Sequence, residues 1–363
     1  MEHNYKIRIK TLDNDSNIKE YTQLLEEGNN HNMYYSFLLI KPFRENYGEL
    51  NYFLFEKQDE PIIIMPFIQR KVICQEKVYP YFDVISPWGY GGPIFNGEVT
   101  EEDITAFWQH VDDWYAEHNV ITEFIRFSLN GNHRNYSGTL VKTLSNVKGR
   151  LLDNFEDQWK AFHAKVRNNY RKAAQYNLDF KLFQKEEITK EQIKIFNNIY
   201  VDTMTRNNAD NSYYFSNSYF EDLILSNIDN FSIAVVYHED TPISVELIIS
   251  YQETIYAFLG GTNAEYFSYR PNDFLRVKVV EWAISANKKY YVLGGGIKDG
   301  DGLLRSKKAL FPKDELAIFY TGRKIVNPEV YEELCISVDK EKYESITEEN
   351  FGEHFFPLYR NTK

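Results

Sequence analysis

A segment near the end of the chain combines glycines, acids and lysines in an order that suits a binding or catalytic site. In Tyr290–Phe311 an apolar run stops at Gly294-Gly295-Gly296, and the polar turn that follows contains Asp301. Glycine has no Cβ, so another molecule can approach the main chain closely there. Lys307 and Lys308 follow, and a lysine so placed can stabilise negative charge. We therefore predict that this segment forms the floor of a site.

A single carboxylate interrupts an apolar run elsewhere in the chain. Glu246 lies within Ile243–Ile249, where every neighbour except Ser244 is apolar. An ionised carboxylate in such a run is costly to bury unless it is paired or faces a cleft. In a cleft its pKa would rise, which would suit a general base. The alternative is a half-exposed strand whose period of two places Glu246 on the solvent side, opposite Val245 and Leu247.

Positive side chains are concentrated in one predicted helix, which runs from about Glu156 to Tyr176. Its basic residues have no acid between them and comprise Lys160, Lys165, Arg167, Arg171 and Lys172. Arg167 and Arg171 are four residues apart and therefore share a face. Such a cluster would hold phosphate groups. The alternative is that bases at the end of a helix simply complement its dipole.

Two further stretches are candidates for ligand contact. Arg206 follows a predicted helix and precedes an aromatic run, a position that suits anion or ring recognition, although an ordinary surface loop is the alternative. A predicted strand starts at Tyr256 and ends in Gly260, Gly261 and Thr262. Main-chain N–H groups at that end could face a carbonyl or a phosphate.

The elements that must position these residues include two β-hairpins of similar sequence. The predicted strands are Asn51–Lys57, Ile62–Arg70, Phe231–His238 and Ile243–Tyr251, and each pair is separated by a short acidic turn with a proline. The shared pattern suggests an internal duplication, with chance as the alternative. When the two prolines are aligned, Met65 stands where the second hairpin has Glu246.

Apolar residues that recur every three or four positions predict helices beginning near Thr100, Glu156, Lys190 and Pro271. Strands and helices therefore alternate, as they do in α/β and α+β proteins. A chain of 363 residues favours two domains, and the polar stretch 144–153 is the expected boundary.

Composition limits the classes of function. The chain has 41 basic and 53 acidic residues, and its net charge of −12 argues against an extended nucleic-acid surface but not against a local basic patch. Cys74 and Cys335 lack metal-ligand spacing, which fits a reducing compartment. The first residues contain no apolar signal segment, and no run reaches the ~18–20 apolar residues of a membrane span. We therefore expect a cytoplasmic protein without a transmembrane segment.

Together these motifs resemble the Fem-like branch of the GNAT acyltransferase superfamily. That branch includes peptidoglycan bridge-forming aminoacyltransferases and acetyltransferase-like proteins linked to surface polysaccharide synthesis. The resemblance covers residues 35–320 and rests on the glycine-ended strand, Lys-Lys before Phe311, Arg-x-x-x-Arg-Lys-Ala from Arg167, Thr-x-x-Arg ending at Arg206, and Asp83–Pro93.

The resemblance implies an α+β fold of two tandem GNAT-like domains, each a mixed, mostly antiparallel sheet flanked by helices. The first would span residues 1–150, and the second, residues 151–321, would carry the active site. The tail, residues 322–363, would pack back on the first domain.

The resemblance also implies transfer of an acyl or aminoacyl group to an amine of a cell-envelope precursor, a nucleotide- or lipid-linked sugar or peptide. The co-substrate would be acyl-CoA or aminoacyl-tRNA, with no permanently bound cofactor and no metal. Transfer RNA and a membrane-bound precursor would be possible partners. The CoA-binding loop of ordinary GNAT enzymes is missing, since Arg270-Pro-Asn-Asp-Phe stands there. The alternative is a non-catalytic GNAT-fold protein that binds an envelope precursor or a partner enzyme.

In the mechanism expected from the resemblance, the family's Phe-Lys-x-x-Phe pattern falls on Lys307–Phe311 and makes Lys308 the catalytic lysine. Lys308, with N–H groups near Gly260–Thr262, would face the oxyanion or the charge of the acceptor, and Glu246 would accept the amine proton, directly or through water. Arg206, Arg167 and Arg171 would hold phosphates. The other expected substrate contacts are Tyr256, Gly260, Gly261, Thr262, Gly294, Gly295, Gly296, Asp301 and Lys307.

Overall fold

The computed structural model describes residues 4–28 and 32–361. Within them the strands are β1 (Tyr5–Thr11), β2 (Glu49–Lys57), β3 (Glu60–Cys74), β4 (Lys77–Ile85), β5 (Ile94–Phe95), β6 (Val120–Arg126), β7 (Thr139–Arg150), β8 (Leu178–Gln184), β9 (Phe231–His238), β10 (Thr241–Tyr251), β11 (Thr254–Thr262), β12 (Tyr290–Gly294) and β13 (Ala317–Ile325). The predicted hairpins are confirmed as β2–β3 and β9–β10.

The α-helices of the same residues are α1 (Asp15–Glu27), α2 (Phe37–Tyr47), α3 (Glu101–Glu117), α4 (Phe155–Ala161), α5 (Ala164–Ala173), α6 (Lys190–Arg206), α7 (Asn217–Leu225), α8 (Pro271–Ser285), α9 (Gly302–Lys308) and α10 (Pro328–Glu344). The chain divides into two compact units, one formed by Met1–Thr143 with Ile318–Lys363 and the other by Leu144–Ala317.

The first unit has the strand order β1-β2-β3-β4-β6-β13, with β5 paired to β3. Its neighbours are antiparallel except for β4 and β6, which run parallel. Helix α3 starts as predicted, because Thr100 and Asp103 cap each other's backbone N–H groups. Near the end of the chain, the carbonyls of Phe351 and His354 accept hydrogen bonds from Arg323.

The second unit has the strand order β7-β12-β11-β10-β9-β8. Only β11 and β12 among these described pairs are parallel. Its core lies between this sheet and α8, which starts at Pro271 and buries apolar side chains such as Leu275 and Val279 completely. The predicted α+β class, with mixed and mostly antiparallel sheets, is confirmed.

One predicted helix is wrong in detail. The expected helix from Glu156 to Tyr176 is broken, because Phe162 and His163 have ψ near 145°. The His163 N–H donates instead to the carbonyl of Ala309, 3.0 Å away, so the break is fixed by a contact with the end of α9. Its imidazole then caps α5 by accepting from the Lys165 N–H.

Candidate active site

A cleft opens in the second unit where its two parallel strands stop pairing. Strands β11 and β12 are in register only from Thr254 to Tyr256, opposite Tyr290 to Val292. The rest of β11, from Ala257 to Thr262, lines a cleft of about 640 Å³. The other walls come from β10, the end of α6, the beginning of α8, and α9. An interrupted parallel pair thus creates space at the centre of a sheet.

Glu246 lies in this cleft. It stands opposite Gly260 in the β10–β11 ladder, lines the cleft, and is only 5% exposed. The hydroxyl of Tyr291 on β12 donates a hydrogen bond to its Oε1. Burial raises the pKa of the Glu246 carboxyl, although Arg276, Tyr291 and Lys307 oppose the rise. The solvent-facing alternative is therefore wrong, and the carboxyl is placed where it could exchange a proton with a ligand.

Lys307 is the lysine that reaches the same cleft. Its Nζ donates to the carbonyl of Gly295 at 2.6 Å. Burial, reinforced by the positive charge of Arg276, lowers the pKa of Lys307 to about 8. At neutral pH the ammonium is still mostly charged, so it can face negative charge that develops on a ligand.

Arg276 also lies in the cleft, although we did not predict it as a site residue from the sequence. It lines the cleft from the second turn of α8, and its Nε–H is buried with no acceptor among the described residues. Its charge acts on both Glu246 and Lys307. The sequence contained one indication of its position. Arg276 follows Asn272 by four residues and Asp273 by three, so these three polar side chains share one face of the helix.

Lys308 does not lie in the cleft with Glu246, contrary to our expectation. Its Nζ donates to the carbonyls of Phe311 at 3.0 Å, Pro312 at 3.2 Å and Asp314. Consecutive residues of an α-helix point about 100° apart, so two adjacent lysines on α9 face different directions. Lys308 lines a second groove, on the other side of α9, and closes the loop that follows the helix.

Phe311 anchors the same loop. A Cβ on Gly149 of β7 would lie 2.1 Å from the nearest atom of the Phe311 ring, so only glycine leaves room for it. Phe311 itself is 3% exposed.

The glycine triplet after β12 serves packing and does not floor the cleft. Gly294 has a φ of +73°, and a Cβ on Gly296 would lie 2.2 Å from Asp301 Oδ1. Asp301 caps α9 through the Leu304 N–H and also accepts from the Ile297 N–H, both at 2.7 Å. The backbone hydrogen bond from Leu304 lowers the pKa of Asp301. Lys307 is the cleft residue that contacts this triplet, through the Gly295 carbonyl.

The end of β11 lines the cleft through Gly260, Gly261 and Thr262, as expected. Gly261 is needed for close packing, since its Cβ would lie 2.5 Å from the carbonyl oxygen of Ile199 on α6. The Thr262 N–H already donates to Thr203 Oγ1 at 3.0 Å, so it is not available for an oxyanion. Tyr256 is buried in β11, 6% exposed, before the strand reaches the cleft.

Of the three predicted arginines, only Arg206 reaches the cleft. It donates to the Thr262 carbonyl at 3.0 Å and lies 5.0 Å from the ring centroid of Phe267. Arg167 instead donates to the carbonyls of Lys160 and Phe162. Arg171 lies over the Trp159 ring, 5.5 Å away. The basic cluster of the broken helix is therefore not assembled at the cleft.

The described residues contain no group of three or more His, Cys, Asp or Glu side chains that could hold a metal ion. None of the helices described is both long enough and apolar enough to cross a membrane.

Comparison with known proteins gives a family match within the second unit. Residues 160–299 match the family model described as an acetyltransferase (GNAT) domain. No curated protein matches the chain.

Several solved structures share the fold along most of the chain. FemX superposes with a TM-score of 0.63 at 13% identity, covering 89% of this chain and 99% of its own. L-PGS from Bacillus licheniformis gives 0.55 at 14% identity, with 85% and 92% covered. The C-terminal domain of a protein from Agrobacterium fabrum, described as a lysylphosphatidylglycerol synthetase, gives 0.55 at 12% identity, with 87% and 93% covered. At sequence identities of 12–14%, what these proteins share with the chain is the fold.

Proposed function

Since residues 160–299 match a GNAT acetyltransferase domain and the chain shares the fold of FemX, we propose that it is an N-acyltransferase that modifies an amine of a cell-envelope precursor. The observation that carries this proposal is the presence of a buried carboxyl, Glu246, and a half-buried ammonium, Lys307, in the cleft where β11 and β12 part. Acyl transfer to an amine needs both a proton acceptor and a cation that meets the oxyanion.

In the proposed reaction, the amine nitrogen attacks the carbonyl carbon of an activated acyl group while Glu246 takes the proton from nitrogen. Tyr291 holds Glu246 in position through its hydroxyl. Lys307 replaces Lys308 as the group that stabilises the oxyanion. When the tetrahedral intermediate collapses, the bond to the leaving group breaks, and that group leaves as a thiol or a ribose hydroxyl after it receives the proton that Glu246 took from the amine.

The donor is an acyl-CoA or an aminoacyl-tRNA, both of which carry phosphates. The start of α8 is not favourable for phosphate, because Pro271 has no N–H and Asp273 adds a carboxylate to the wall. Arg206 and Arg270 line the same cleft and would supply the positive charge instead. This arrangement leaves either donor open.

The envelope assignment is supported by the fold neighbours, FemX and the lysylphosphatidylglycerol synthetases, whose names point to envelope chemistry. We propose a precursor of peptidoglycan, of a surface polysaccharide or of a membrane lipid as the acceptor. The protein would meet such a precursor in the cytoplasm or at the membrane surface.

The test is a transfer assay with purified protein. Radiolabelled acetyl-CoA and aminoacyl-tRNA are each offered with a panel of amino sugars, amino acids and peptides, and products are resolved chromatographically. We expect label on one acceptor class, and no transfer by Glu246→Gln. A donor that raises the melting temperature but is never consumed would favour a non-catalytic binding protein.

A further inference from the structure

The cleft floor has a charge pattern that transfer to a simple amine does not explain. Glu246 and Lys307 can carry out the proposed chemistry, but Arg276 adds a third charged group beside them. With Arg276 and Lys307 protonated and Glu246 ionised, the floor carries two positive charges and one negative. The charges of these three groups sum to +1; Glu246 is buried, and Arg276 and Lys307 are half-buried.

One donor of the Arg276 guanidinium is left without a partner. Its Nε–H is buried and finds no acceptor in the described part of the chain. By contrast, Glu246 has Tyr291, and Lys307 has the Gly295 carbonyl. A buried donor without an acceptor is unfavourable, and a guanidinium edge pairs best with a planar anion. A ligand that supplies an acceptor therefore completes the floor, and a carboxylate is an acceptor of the right shape.

Resting on the proposed function, we infer that the acceptor is an amino acid, free or at the end of a larger molecule, whose carboxylate binds Arg276 beside Lys307. The amine of the same residue then faces Glu246, which accepts its proton. A phosphate dianion fits less well at Arg276, because its two negative charges would lie next to the Glu246 carboxylate. An amino sugar without a carboxylate would leave Arg276 unpaired.

The experiment compares three probes of similar size on the purified full chain, by calorimetry and ligand-observed NMR, with and without CoA. Glycine carries both groups, glycinamide lacks the carboxylate, and acetate lacks the amine. We expect glycine to bind at least about tenfold more tightly than glycinamide, the loss typical of a charge-assisted hydrogen bond. Arg276→Gln should remove that difference, and Arg276→Lys should keep part of it.

The matched control is Lys278→Gln, on the same helix, where Lys278 pairs with Glu281 at 2.8 Å. It should leave the preference for glycine unchanged. Equal binding of glycine and glycinamide by the wild type, or no binding of either, would overturn the inference without any variant. Transfer to amines that lack a carboxylate, with no preference for amino acids, would also overturn it while supporting the acyltransferase. Carboxylate-dependent binding without transfer would support the inference and overturn the acyltransferase.

Discussion

Both units contain a strand, two helices, three strands, a helix and a strand in that order, with the short β5 added in the first, but they differ in how far their parallel strands stay paired. In the first unit, β4 and β6 remain in register through Ile85, the last residue of β4. In the second, β11 and β12 part after Tyr256, and six residues of β11 remain to line the cleft. The comparison indicates that space for a ligand depends on where one parallel ladder ends, and not on a different order of strands.

The residues at matching positions differ accordingly. Met65 and Glu246 each lie five residues after the start of the second hairpin strand, opposite Phe53 and Ala234 respectively. Met65 is 1% exposed and belongs to the apolar core, whereas Glu246 borders the cleft. The first unit also has an inward-facing acid, Glu123, but on β6.

Glu123 and Glu246 show that burial alone does not make a carboxylate a candidate base. Glu123 is 0% exposed and accepts hydrogen bonds from Tyr115 and Tyr136, and Lys324 lies 3.5 Å from it. Its two oxygens are thus occupied by protein groups. Glu246 has one such bond, from Tyr291, and an opening to the cleft.

The largest effect should separate these two acids. Glu246→Gln removes the proton acceptor, and we expect a loss of about 10²–10⁴ in kcat/KM with little change in stability. Glu123→Gln should instead lower the free energy of unfolding, because it removes the buried carboxylate that accepts from Tyr115 and Tyr136, while kcat/KM stays within a few fold. Steady-state kinetics and urea unfolding of both variants provide the measurement. A fully active Glu246→Gln would remove this residue from the mechanism.

A somewhat smaller effect should separate the adjacent lysines of α9. Lys307→Ala is expected to reduce kcat by about 10²–10³, because an oxyanion contact is lost. Lys308→Ala should leave kcat near that of the wild type but lower the free energy of unfolding by about 1–3 kcal/mol, since three carbonyls lose their donor. The reverse result would restore Lys308 as the catalytic lysine.

The smallest predicted effect is a change in pH dependence. Lys307 acts as an ammonium and has a pKa of about 8, so kcat should fall with rising pH above that value, about tenfold per pH unit. Arginine stays protonated there, so any residual activity of Lys307→Arg should not show this alkaline decline. A pH–rate profile from pH 6 to 10 measures the difference. If kcat of Lys307→Arg still falls above pH 8 as in the wild type, another group causes the decline.

Much of the fold could be read from local patterns. The hairpins, the capped α3 and the proline start of α8 follow from periodicity and turn chemistry, which act over a few residues. The break at Phe162–His163 could not, since it depends on the carbonyl of Ala309, far away in sequence. The resemblance to the Fem-like branch of the GNAT superfamily is confirmed.

The site was harder to predict than the fold. Glu246 stood out because one acid in an apolar strand has few explanations. The motif could not tell Lys307 from Lys308, since one position on a helix changes the direction of the side chain by about 100°. The glycine triplet suggested an exposed main chain, whereas its glycines accommodate Asp301 and a left-handed turn. Arg276 was not predicted as a site residue because the apolar residues around it are typical of an ordinary core helix.

The contact between Gly149 and Phe311 has a consequence for variants found far from the cleft. Any side chain at position 149 would displace the aromatic ring, and the ring follows α9 by three residues. The helix would then tilt, and the ammonium of Lys307 would move with it. The Gly149→Ser variant could therefore fold and bind its substrates but turn over slowly, because the side chains of the cleft are all present but misaligned. Such a defect would be repaired by trimming Phe311 to a smaller residue, and not by any change within the cleft.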